Sequence, residues 1–263
     1  MTHPAIIGHR GAAVEAPENS MPALELAMEI GADALELDVQ QSADGEIVVI
    51  HDPTLERTAD AEGVIADMAW SDLREVRLRH KPSSGPALGA GAAAGPGAAP
   101  GSEPTLSTLD QVFERFPDVE ITVDVKALRA APDVVSLIQR FERTDRTILY
   151  IEDGTGLPEF AMYQGRRATS TRQALRLALD RGWPGRSGER AVPEVVHTPL
   201  TKWGVPIVTR GFVRRMRSHR RTVQVWTVDE PETMSRLADW GVDGIITNDV
   251  RAAVSLLKQY TSA

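Results

Sequence analysis

The chain of 263 residues has no cysteine. A disulfide framework and a thiolate metal site are therefore both excluded. No stretch approaches the roughly 18 consecutive apolar residues that a bilayer-spanning helix needs. The N-terminal residues lack a basic region followed by an apolar core, so no secretory signal is read and a cytoplasmic location is expected. Basic charge is in deficit, with 29 Lys and Arg against 37 Asp and Glu and a net charge of −8. That balance argues against a nucleic-acid partner, which normally meets a basic face. Arg214, Arg215, Arg217, Arg220 and Arg221 do cluster, and the run reads as a solvated helix face, with anion attraction as the other reading. The Gly-rich fingerprint of a doubly wound dinucleotide fold is also missing.

What is present is an ordinary globular composition, 42% apolar and 25% charged. The length suits one large domain or two small ones, and α/β barrels often reach it alone. Eight extended segments are expected: Ala5 to Gly8, Ala34 to Gln40, Glu120 to Lys126, Thr147 to Glu152, Arg167 to Ser170, Glu194 to His197, Thr222 to Val228 and Gly244 to Thr247. Helical patterns separate most of them, and the link from Glu152 to Arg167 is the weakest. Such alternation favours a (β/α)8 TIM barrel, spanning residues 1–263 as one domain. Chemistry in such barrels sits at the C-terminal strand ends, where His9, Asp38, Lys126 and Trp226 fall.

The stretch from Ile6 to Asp52 carries the strongest chemical signal. Glu36 and Asp38 alternate with Leu35, Leu37 and Val39, and no packing argument puts two carboxylates in such a strand. Burying one unpaired carboxylate costs several kcal/mol, so the pair suggests a bound cation. Asp124 on a neighbouring strand completes an all-oxygen set, which suits a hard ion such as Mg²⁺ or Ca²⁺. His9 and His51 flank the same point, and a histidine pair can serve as general base and general acid together. With Arg10 and Lys126 available to hold an anion, the set reads as phosphoester cleavage. Trp226 has two readings, barrel packing or an apolar wall for an alcohol or acyl group. His3, His80, His197 and His219 have no comparable company and read as structural or exposed. Asp153-Gly154 and Asn248-Asp249 stand at strand ends, where turn chemistry explains them as well as a place in the mouth does.

Local signals add detail. Asn19 or Ser20 is expected to cap a helix with Pro22 in its first turn and Gly31 at its end. Asp44-Gly45 reads as a two-residue hairpin turn, and that register sets His51 directly opposite Asp38. An insertion of about residues 53–104 follows. Within it, residues 82–102 are almost wholly Pro, Gly, Ala and Ser, expected to form a mobile loop. Thr105 is expected to cap a helix from Leu106 to Phe116.

GHRG at 8–11, PENS at 17–20, ELDVQ at 36–40, DG at 44–45 and VVIHDPTLERT at 48–58 resemble the glycerophosphodiester phosphodiesterases. So do PTL at 104–106, VDVK at 123–126, VWTVD at 225–229 and GVDGIITND at 241–249. The resemblance covers nearly the whole chain in the family's order. It implies a barrel with a small insertion after the His51 segment and a small-molecule phosphodiester substrate. It implies His9 and His51 as the acid/base pair, Glu36, Asp38 and Asp124 on one divalent cation, and Arg10 and Lys126 on the phosphate. In family terms the glycerol hydroxyl next to the phosphate attacks phosphorus before water completes hydrolysis, giving glycerol 3-phosphate and an alcohol. The chain departs from the family in having Asp124 where Glu is usual, in lacking Ser-Phe near Tyr150-Ile151-Glu152-Asp153, and in its Gly/Ala-rich insertion. A lysophospholipase D using the same site is the alternative enzyme reading. A non-catalytic phosphodiester-binding barrel is weaker, because His9, His51, Glu36 and Asp38 are all retained.

Overall fold

The computed structural model describes residues 3–80, 103–152, 157–179 and 192–261. β1 (Ala5–His9), α1 (Met21–Ile30) and β2 (Ala34–Gln41) form the first βαβ unit, and β3 (Ile47–Val49) turns back along β2. After α2 (Trp70–Leu73) and α3 (Leu109–Arg115), the chain alternates through β4 (Glu120–Val125), α4 (Ala131–Arg140), β5 (Thr147–Tyr150), α5 (Pro158–Met162), β6 (Arg166–Arg167) and α6 (Thr171–Leu179). Then come β7 (Val195–Pro199) and the small hairpin of β8 (Thr201–Lys202) and β9 (Val205–Pro206). The last elements are α7 (Arg210–Ser218), β10 (Thr222–Trp226), α8 (Pro231–Trp240), β11 (Gly244–Thr247) and α9 (Val250–Leu257).

Parallel strands pair in the order β6-β5-β4-β2-β1-β11-β10-β7. The two ends of that row meet through one bridge between Ala168 and Val195, with Thr169 N–H donating to the Val195 carbonyl at 2.9 Å. The result is the expected (β/α)8 barrel, nearly closed. Among the described residues no helix is long and apolar enough to cross a membrane.

β2 shows why this sequence makes a barrel stave. All eight of its positions are buried, as parallel strands with both faces covered require. The pleat sends Leu35, Leu37 and Val39 into the same apolar layer as Leu24 and Ala27 of α1 and Val112 and Phe113 of α3. Each such fully buried side chain contributes roughly 2 kcal/mol, which helps offset the cost of turning Glu36 and Asp38 inward. α1 is held at both ends. Ser20 Oγ accepts from the Ala23 N–H at 3.3 Å, and Gly31 closes the helix with φ 112°. Between β1 and α1 the chain reverses through Arg10 and Gly11, at φ 57° and 85°. A Cβ on Gly11 would lie 2.5 Å from the Ala23 carbonyl carbon, so only glycine lets this loop pack on the start of α1.

Two expectations need correction. The first concerns the hairpin, whose turn has three residues, Ala43 to Gly45, closed by the Ser42 N–H donating to the Glu46 carbonyl at 3.0 Å, with Gly45 at φ 96°. The extra residue slides the register by one: Val39 pairs with Val49, and the Ile50 N–H donates to the Asp38 carbonyl at 3.0 Å. A strict pleat would then turn His51 away from Asp38. The strand ends at Val49 instead, Gln40 Nε2 donates to the His51 carbonyl at 2.9 Å, and the His51 ring joins Asp38 in one pocket.

The second correction is α3, which starts at Leu109 with Thr108 and Gln111 forming a capping box. Thr105 is unavailable as a cap because its backbone bridges Arg77, and Val49 N–H donates to the Ser107 carbonyl at 2.8 Å. Of the two expected cap candidates for α1, Ser20 takes the role, and Asn19 is a partner of Asp38. The insertion has its own apolar cluster, in which Leu55, Ile65, Leu73 and Leu106 pack with Val48 and Ile50. Residues 82–102, and the Asp153-Gly154 pair, lie outside the described residues. The arginine run fits a solvated face: α7 buries Phe212, Val213 and Met216, while Arg214, Arg217 and Arg220 are exposed.

Candidate active site

The barrel register brings the strand-borne part of the site together. His9 of β1 stands beside Glu36 of β2, Asp38 beside Asp124 of β4, and Asp124 beside Tyr150 of β5. One pocket at the C-terminal strand ends is lined by all eight sequence-predicted residues, His9, Arg10, Glu36, Asp38, His51, Asp124, Lys126 and Trp226.

Glu36, Asp38 and Asp124 are each no more than 5% exposed, and one oxygen from each lies within 4.8 Å of the others. Three carboxylates this close cannot all ionise freely. Asp38 takes most of the compensation. Its Oδ2 forms an ion pair with Arg10 Nε at 2.8 Å and accepts from Asn19 Nδ2 at 2.9 Å, and its Oδ1 forms an ion pair with Lys126 Nζ at 3.0 Å. Burial works to raise its pKa, but Arg10, Lys126 and the two histidines overcome that and hold it well below the carboxylate range. Glu36 is pushed well up, by burial first and by the Asp38 charge next. Asp124 is raised to about 7 by the same two causes, although its Oδ2 accepts from Lys126 Nζ at 2.5 Å. Its Oδ1 is buried with no hydrogen-bond partner among the described residues. Buried acceptors are rarely left so, and an orphaned oxygen among clustered carboxylates fits a hard divalent cation. Glu36, Asp38 and Asp124 are the residues that would hold it.

His9 is oriented by a chain of hydrogen bonds. Asp229 accepts from the Asn248 N–H and from Asn248 Nδ2, both at 2.8 Å. That fixes the amide with Oδ1 toward His9, whose Nδ1 lies 2.7 Å away and must be the donor. The lone pair of the neutral ring is thereby on Nε2, which is 3.9 Å from Glu36 Oε2. Burial first, and the Arg10 charge next, lower the His9 pKa to about 4.

His51 is held differently. Its Nδ1 lies 2.5 Å from Asp52 Oδ1, and Arg57 Nε donates to the other Asp52 oxygen at 2.5 Å. Arg57 also donates to Glu18 at 2.7 and 2.8 Å, and Glu18 in turn accepts from Arg10 at 2.8 Å. One ionic chain thus runs from His51 round to Arg10. Arg10 and Lys126 are both engaged with the carboxylates, and Lys126 keeps 26% of its side chain exposed to the pocket.

Several residues of the site were not given their roles in it from sequence. Asn19 accepts from the Asp38 backbone N–H at 3.2 Å as well as donating to its carboxylate. Asp52, Asp229 and Asn248 set the histidine rings; Asn248 directly follows β11, one of the two readings given to it from sequence, whereas Asp52 and Asp229 stand three residues beyond β3 and β10 and gave no such signal. Tyr150 lines the pocket and donates to Glu152, which also accepts the Thr171 N–H at 2.8 Å at the start of α6. His197, expected to be structural, is also in the pocket wall.

The match to the family model for "Glycerophosphoryl diester phosphodiesterase family" runs over residues 9–252. An uncharacterised protein of Bacillus subtilis is 32% identical over 96% of this chain and 98% of its own length. The glycerophosphodiester phosphodiesterase of Caldanaerobacter subterraneus is 29% identical over 97% of this chain and 98% of its own. Among solved structures, the Thermotoga maritima glycerophosphodiester phosphodiesterase superposes with a TM-score of 0.69 at 25% identity, covering 97% of this chain and 99% of that one. The chain belongs to the glycerophosphoryl diester phosphodiesterase family, whose members are phosphoric diester hydrolases.

Proposed function

We propose that this chain hydrolyses glycerophosphodiesters to glycerol 3-phosphate and an alcohol. What carries the reading is one pocket that joins two oriented imidazoles, three buried carboxylates and two basic side chains in a member of this family. His9 is the base. Its Nδ1 is occupied by Asn248 and its ring is neutral, so Nε2 takes the proton of the glycerol hydroxyl that attacks phosphorus. His51, fixed by Asp52, gives a proton to the departing alcohol, and the two exchange roles when water opens the intermediate ester. Arg10 and Lys126 bind the phosphate oxygens, and half-buried Trp226 walls the pocket. A divalent ion, Mg²⁺ or Ca²⁺, bound by Glu36, Asp38 and Asp124 supplies neutralisation of charge on the non-bridging oxygens.

Turnover of glycerophosphocholine and of lysophosphatidylcholine, each in EDTA, Mg²⁺ and Ca²⁺, tests this. Glycerophosphocholine is expected to be cleaved with one or both cations and to survive in EDTA. Preference for lysophosphatidylcholine would make the protein a lysophospholipase D, and undiminished rates in EDTA would remove the cation.

A further inference from the structure

Arg57 stands in the ionic chain behind the pocket, and it contacts neither the pocket nor the three clustered carboxylates. It comes from the insertion, not from a barrel strand. The turn that carries it is closed by the Thr58 and Ala59 N–H groups, which donate to the Leu55 carbonyl at 3.2 and 2.9 Å. Leu55 is buried in the insertion's apolar cluster, and Thr58 and Ala59 are buried too. The backbone under Arg57 is therefore fixed by that small core. From there the guanidinium forks two ways. Its Nε and Nη2 donate to the two oxygens of Asp52 at 2.5 and 3.2 Å. Its Nη1 and Nη2 donate to the two oxygens of Glu18 at 2.8 and 2.7 Å. Asp52 in turn holds the His51 ring, and Glu18 accepts from Arg10.

Burial works to raise the Asp52 carboxyl, but Arg57 and then His51 hold it below the usual carboxylate range. Stability does not account for the arrangement. Arg57 keeps 40% of its side chain exposed, and ion pairs at that exposure contribute little to folding. What a doubly bidentate guanidinium supplies is geometry, because its planar fork fixes both the position and the orientation of each carboxylate. We infer that Arg57 is a positioning residue for the reaction: through Asp52 it keeps His51 aimed at the departing alcohol, and through Glu18 it couples that aim to Arg10 on the phosphate. The insertion's apolar cluster thereby has a part in the chemistry, as the support that delivers Arg57. This role rests on the activity proposed above, with His51 as its acid.

The test uses two substrates that differ only in the leaving alcohol, glycerophosphocholine and the p-nitrophenyl ester of glycerol 3-phosphate. Choline must be protonated as it leaves, whereas p-nitrophenolate is a stable anion and departs without an acid. The readout is kcat/KM, which ends at departure of the alcohol and leaves out the later opening of the intermediate ester. Arg57→Met keeps the apolar stem and removes all five N–H donors. It is expected to lower kcat/KM about 30-fold on glycerophosphocholine and about threefold on the nitrophenyl ester, so their ratio falls about tenfold. Arg57→Lys, a point charge without the fork, is expected to recover part of that ratio, and it carries the same comparison if the methionine variant does not fold. An unchanged ratio, with both substrates slowed equally or neither slowed, overturns the assignment, since a purely structural role does not sense the alcohol. His51→Ala separates this failure from that of the proposed activity. If it lowers the ratio and the Arg57 variants do not, the positioning role alone falls. If it too leaves the ratio unchanged, His51 is not the acid and both fall, as they do if the wild-type protein cleaves neither substrate.

Discussion

His9→Ala is expected to lower kcat on glycerophosphocholine by about 10³-fold while the protein stays folded. General acid–base catalysis by a placed side chain is worth roughly 10²–10⁴ in rate. The loss should fall on kcat more than on KM, because Arg10 and Lys126 still meet the phosphate. Stability should change little: the deletion strands Asn248 Oδ1, a cost of about 1 kcal/mol, and moves the melting temperature by only a few degrees. His51→Ala should lose as much activity with a smaller thermal shift, since its side chain is already 34% exposed. The double variant should be barely worse than either single one, as expected of groups that act as a unit. Steady-state kinetics with a thermal melt of each variant decides it; a residual rate within tenfold of wild type in either would remove that histidine from proton transfer.

The carboxylates should separate in a second way. Asp124→Asn and Asp38→Asn are both expected to abolish activity and the stabilisation given by added Mg²⁺ or Ca²⁺. In EDTA at pH 8 they should move apart. Asp38 has a depressed pKa, so it contributes stability that is present above the ordinary carboxylate range and lost as pH falls toward its folded value. Its removal leaves Arg10 Nε and Lys126 short of a buried partner and should cost about 3 kcal/mol. Asp124, raised to about 7, behaves oppositely. Its contribution is fully present below the ordinary carboxylate range and lost as pH rises through about 7, so at pH 8 its charge only opposes folding. Asp124→Asn should therefore melt in EDTA at or above the wild-type temperature. The reverse order of the two melts would contradict the electrostatics described for the cluster.

The residues that sequence placed well are those whose type conflicts with their local pattern. Glu36 and Asp38 interrupt an apolar strand, and no tertiary knowledge is needed to see that the conflict requires a cation or a partner. The strand count was legible for a related reason, since each parallel stave is a short run with both faces covered. Positions decided by one residue of loop were not. Whether Asp44-Gly45 forms a turn of two or three residues changes which side chain faces Asp38, and the answer rests on the Ser42 and Glu46 pairing. Thr105 and Thr108 are equally good caps by type, and the choice is made by Arg77 and Val49 claiming the earlier backbone. Asn19, Asp229 and Asn248 are common turn residues in sequence, and their meaning comes from partners 19 to 239 positions away. His197 was hidden for the same reason, because its company is on β5 and β10.

The most direct measurement is ³¹P NMR of glycerophosphocholine incubated with the wild-type protein in Mg²⁺ or Ca²⁺. The diester resonance is expected to be replaced by that of glycerol 3-phosphate, with no change when EDTA is present. Appearance of phosphocholine, from cleavage of the other phosphoester bond, or persistence of the diester with either cation, would contradict it.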